Sequence, residues 1–68
     1  MNRTELRQAI DERGLTVTRA AEVLGVSRVY LSYMLNGQRP IPDEQSARIA
    51  VKLQSYDNEA RNGAHQNS

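Results

Sequence analysis

Cysteine is absent from this 68-residue chain, and histidine occurs once, at His65. The first absence removes disulfide staples. Together the two remove zinc frameworks built on cysteine and histidine, because His65 has no partner of either type. No apolar run is longer than three residues, the longest being 29–31, 33–35 and 49–51, against the roughly 20 that a membrane span requires. The opening residues Met1, Asn2, Arg3, Thr4 and Glu5 lead into no apolar stretch of the secretory type, so the expectation is a soluble protein of the cytoplasm, with no membrane partner. An excess of one charge is lacking too. Nine Lys and Arg against eight Asp and Glu give a net charge of +1 and a pI near 8.2, below the value of about 9 that marks an overtly basic nucleic-acid module.

What is present is compact and uneven. A chain this short forms one domain and buries only about 60% of the surface its unfolded form exposes, so its margin of stability is thin. Residues 1–39 hold six Arg and four acids, whereas 40–68 hold two Arg, one Lys and four acids, which makes the front the more basic part. Eight of the nine cations are Arg, the side chain suited to two-pronged contacts with phosphate or guanine.

No window alternates apolar and polar residues, and apolar residues recur at helical spacing, which predicts an all-α fold. Asn2 with Glu5 three positions on forms a capping box, and Leu6, Ala9 and Ile10 share the face of a first helix that Arg13 and Gly14 end. Thr16 caps a second helix over 17–24, with Ala20, Val23 and Leu24 inward and Gly25 as its stop. Val26 follows as an apolar plug. Ser27 then caps a third helix whose inward stripe is Leu31, Met34 and Leu35, and Asn36-Gly37 stops it. Pro42 followed by Asp43 and Glu44 opens a fourth, with Ile49, Ala50 and Leu53 inward. Beyond Leu53 the only apolar residues are Tyr56, Ala60 and Ala64. The expected organisation is a domain over 1–56 and a flexible polar tail over 57–68, with His65 inert in that tail. The fold expected is a compact bundle of four helices, a fifth being left open.

The informative window is 17–35, where two short helices are joined by Gly25, Val26 and Ser27 alone. A connection this tight, with a residue free to take positive φ at its start, sets two helices at about 90 to 120°, the helix-turn-helix arrangement. Ala21 supplies the small side chain such a crossing needs, and Ala20, Leu24, Val26, Leu31 and Met34 supply its seam. Ala21, Gly25, Val26, Leu31 and Met34, followed by the segment Leu35-Asn36-Gly37-Gln38-Arg39, resemble the small, turn, apolar and helix-ending positions of the phage repressor and Cro group of DNA-binding proteins. Many plasmid regulators and antitoxin components also belong to that group. The resemblance covers about residues 4–53 and implies a lambda-repressor-like bundle around a central helix-turn-helix.

It also implies that the third helix lies in the major groove while the second spans the DNA backbone. On that basis Ser27, Arg28, Val29, Ser32 and Tyr33 are the candidate base-reading residues, and helical spacing independently sets them away from the Leu31, Met34 and Leu35 stripe. Arg28 is suited to donate two hydrogen bonds to guanine, and Val29 to meet a thymine methyl. The amides of Val17 and Thr18 at the start of the second helix, with Arg19, are candidate phosphate contacts. Tyr30, Asn36, Gln38 and Arg39 complete that set. The implied partner is double-stranded DNA, an operator bound by a homodimer, which places the protein on the nucleoid when bound. Ala47 and Val51, four apart on the fourth helix, are the candidate dimer seam.

Plainer roles remain open beside these. Tyr30 and Tyr33 are each either a half-buried core member with a wet hydroxyl or a DNA contact, Val29 either a reader or a lone surface residue, and Arg39 either a phosphate ligand or a solvated loop residue. Ala47 and Val51 are either a seam, a patch shielded by residues around Tyr56, or merely scattered apolar surface. No nucleophile, metal cluster or phosphate-cradling loop points to an enzyme, and no cofactor is implied. The rival function is a protein-interaction module, an antitoxin or adaptor that uses the motif as a scaffold, with a toxin or other protein as partner.

Overall fold

The structure, a computed structural model, describes residues 1–66, with side chains described through residue 61. Each of the first three helices begins where a side chain takes one of its free amides. Asn2 Oδ1 accepts from the Glu5 amide at 2.8 Å while Glu5 Oε1 accepts from the Asn2 amide at 3.1 Å, and α1 (Arg3–Glu12) follows. Thr16 Oγ1 accepts from the Arg19 amide at 3.1 Å to open α2 (Val17–Leu24), and Ser27 Oγ from the Tyr30 amide at 3.1 Å to open α3 (Arg28–Leu35). A cap of this kind stabilises its helix by about 0.5–2 kcal/mol. The fourth, α4 (Asp43–Gln66), starts behind Pro42, whose carbonyl accepts from the Ser46 amide at 2.8 Å, with Asp43 and Glu44 at the positive end of its dipole.

The first three helices also end alike. The Leu15 amide closes on the Ile10 carbonyl at 3.1 Å, Val26 on Ala21 at 3.0 Å and Gln38 on Tyr33 at 2.9 Å, each across a glycine. Gly25 matters most, because it sets the corner between α2 and α3. Its φ is +71°, and a Cβ there would find no atom within 4 Å, so glycine is demanded by the backbone and not by space. The corner drops Val26 against the core.

α2 packs on both α3 and α4, and α1 packs on α3. The core is aliphatic: Leu6 and Ile10 from α1, Ala20, Ala21 and Leu24 from α2, Leu31, Met34 and Leu35 from α3, and Ile49 and Leu53 from α4. Leu15, Val17, Val26, Tyr30 and Ile41 close its edges. Among the described residues no polar side chain is buried, and no helix is long and apolar enough to cross a membrane.

Three features differ from the sequence-based expectation. Ala50 is exposed, since the inward stripe of α4 is the single i, i+4 pair Ile49 and Leu53. Val23 is half-buried and outside the core, which α2 meets through Ala20, Ala21 and Leu24. The segment expected as a tail from 57 continues α4 through Gln66, and no separate fifth helix follows among the described residues. At the start of that segment Asp57 is tied to α1 by Arg13. Arg13 Nε and Nη2 donate to the two carboxylate oxygens of Asp57 at 2.9 and 2.7 Å, and Nη1 donates to the Ala9 carbonyl at 2.7 Å. Those hydrogen bonds hold the Asp57 carboxyl below the usual carboxylate range. The His65 side chain lies outside the described residues.

Candidate nucleic-acid interface

α3 has two faces. Leu31 and Met34 are fully buried and Leu35 nearly so, and the helical period therefore turns Arg28, Val29, Ser32 and Tyr33 outward. Val29 is 55% exposed and Tyr33 41%, Arg28 is exposed and Ser32 is half-buried. These four side chains line one open depression together with Val17 and Thr18 of α2. The geometry thus unites most of the candidate readers with the start of the bracing helix. Because Thr16 satisfies the Arg19 amide, the amides of Val17 and Thr18 are the ones left at the positive pole of α2. Ser27 is exposed, its oxygen engaged as the α3 cap.

The loop after α3 is tied to it. Gln38 and Arg39 both donate their amides to the Tyr33 carbonyl, at 2.9 and 3.2 Å, so the loop that carries their exposed side chains is bonded to the same helix as the outward-facing candidates. Asn36 is exposed as well, and its carbonyl accepts from Arg3 Nη1 at 3.1 Å. Tyr30 is half-buried, packed against the core. Arg19 is not gathered into the depression. Its Nη1 lies 3.0 Å from Glu22 Oε2, on the flank where α2 meets Lys52, Ser55 and Tyr56 of α4. An exposed pair of this spacing is worth only about 0.2–0.5 kcal/mol.

Ala47 and Val51 are exposed, Val51 to 66%. They line an open groove with Leu24, Gly25 and Val26, where the corner of the motif approaches α4. Tyr56 is not part of that groove, so it does not shield them.

Charge completes the picture. Among the described residues Arg13, Arg19 and Arg48 each sit on a carboxylate, whereas Arg3, Arg28 and Arg39 form no ion pair. Residues 23–42, which contain all of α3 and its flanking loops, include no Asp or Glu. That acid-free run was visible in the sequence, but splitting the chain into halves hides it. Arg3 is the functional candidate that sequence reasoning missed, since nothing local marks it and its partner is 33 positions away.

A short exposed helix set across a three-residue corner from the helix that braces it defines a helix-turn-helix, the arrangement of a class of DNA-binding modules. The family model for the helix-turn-helix domain matches residues 3–61, and the chain belongs to that family. No curated protein and no solved structure matches it.

Proposed function

We propose that the chain is a sequence-specific regulator of transcription of the repressor and Cro kind, binding a palindromic operator as a homodimer and carrying out no catalysis. The observation that carries this reading is the depression shared by Arg28, Val29, Ser32 and Tyr33 with the amide-rich start of α2, on a helix flanked by no acid. α3 spans eight residues, about 12 Å of helix, and a helix diameter of about 10–12 Å fits a major groove about 12 Å wide. Arg28 reads a guanine, Val29 meets a thymine methyl, and Ser27, Ser32 and Tyr33 contact neighbouring base edges. Val17 and Thr18 hold a phosphate through their amides, and Asn36, Gln38 and Arg39 hold the backbone beyond α3. Arg19 joins them by exchanging Glu22 for a phosphate, and Tyr30 contributes through its hydroxyl. Two copies meet through Ala47 and Val51, spacing their reading helices by about 34–36 Å. The site of action is the nucleoid in the cytoplasm.

The exposed groove at Ala47 and Val51 favours one second reading, an antitoxin or adaptor whose partner is a protein. Selection of duplexes from a random-sequence library separates the two. The regulator enriches a palindromic sequence, and log affinity falls linearly with log salt concentration. Arg28→Ala relaxes preference at one base position by about 1–3 kcal/mol, whereas Arg39→Ala weakens every duplex alike. Enrichment of no sequence rejects the regulator and leaves the adaptor. Sedimentation of the complex as one copy per duplex rejects the dimer.

A further inference from the structure

The last turn of α3 ends in carbonyl groups, the negative pole of its dipole, and carries no basic residue of its own. A duplex lying along α3 brings phosphates near that pole, where like charge opposes docking. The compensating charge comes from another helix. Arg3, the first residue of α1, donates from Nη1 to the Asn36 carbonyl at 3.1 Å. Its guanidinium lies across Gly37, where any Cβ would collide with it. Arg3 is exposed, forms no ion pair among the described residues, and lines one open depression with Arg39, Pro40 and Ile41. A guanidinium offers five N–H donors in a planar fork, so one spent on Asn36 leaves four for a phosphate.

From this we infer that Arg3 is a phosphate-binding residue that also positions the end of α3, forming with Arg39 a two-arginine anchor for the DNA backbone. The inference rests on the DNA-binding reading above and adds a contact from outside the helix-turn-helix itself. It places the amino-terminal helix, otherwise a core element, on the nucleic acid.

The test uses a duplex enriched by the wild-type protein from a random library, with affinities measured between about 50 and 200 mM sodium chloride. Arg3→Gln keeps an N–H donor for the Asn36 carbonyl and removes the charge. It is expected to melt within a few degrees of wild type, to flatten the log–log salt slope by about one, and to weaken all duplexes alike. Arg3→Lys keeps the charge and loses the fork, so it restores the slope while recovering part of the affinity. An unchanged slope in Arg3→Gln, whatever its melting temperature, overturns the inference and reduces Arg3 to a cap on α3. Failure of the wild-type protein to enrich any duplex is a different result: it removes the DNA-binding reading itself, and this contact with it.

Discussion

α3 and α4 are held in place in opposite ways. α3 is eight residues long and buries Leu31, Met34 and Leu35, whereas α4 runs for 24 residues and buries only Ile49 and Leu53 among those described. Isolated helices shorter than about 12–15 residues are marginal in water. α3 therefore owes its existence to the core behind it, and the precision of its outward face is inherited from that core. α4 rests on two buried side chains and, further along, on the grip of Arg13 on Asp57. The proposed reading surface thus lies on the element fixed mainly by its core face, while the long α4 serves as the strut.

Removing the support of the short helix is the most damaging way to challenge this contrast. Leu31→Ala, at a fully buried position, is expected to cost about 2–5 kcal/mol, a large share of the roughly 5–15 kcal/mol typical of a whole domain. Urea denaturation measures it, and a cost below 1 kcal/mol, a value well under that range, would show that α3 does not depend on its core face. Next comes the corner. Gly25→Ala keeps the space free but forces an alanine to φ near +71°, and a loss of about 1–2 kcal/mol is expected from thermal melting. No loss would mean that the corner relaxes to another conformation. The smallest effect belongs to the strut. Asp57→Asn removes a carboxylate whose folded-state pKa lies below its ordinary 3.8, so the stability it contributes is present above that value and disappears as pH falls through the lower folded value. The melting temperatures of wild type and Asp57→Asn should differ at neutral pH and converge in acid. A gap that widens in acid, or one larger than that of Leu31→Ala, reverses the comparison.

Much of this arrangement was legible in the sequence, for reasons that differ by element. Asn2, Thr16 and Ser27 cap helices through bonds to residues three positions on, and Gly14, Gly25 and Gly37 end them through bonds almost as local. Local chemistry of this kind is written where it acts. The outward placement of Arg28, Val29 and Tyr33 followed from the helical period alone. Ala50 was misread because a small residue beside Ile49 fits an inward stripe on paper, while only the neighbouring helix decides how wide that stripe is. Past Leu53 no apolar stripe marks the continuation of α4, and the Arg13–Asp57 contact that ties it to α1 joins residues 44 positions apart. Arg3 escaped notice for the same reason, and the direction of Arg19 was decided by Glu22 and by α4, neither of which helix phase reveals.

The hydrogen bonds that fold the chain back over Gly14, Gly25 and Gly37 each span five residues, and that has a kinetic consequence. No corner waits for a distant segment to diffuse into place, so little loop-closure entropy is spent before contacts form. Helical domains with such short-range wiring assemble in about microseconds to milliseconds. A newly made or transiently unravelled copy is thus open to proteolysis and clumping for only a brief interval.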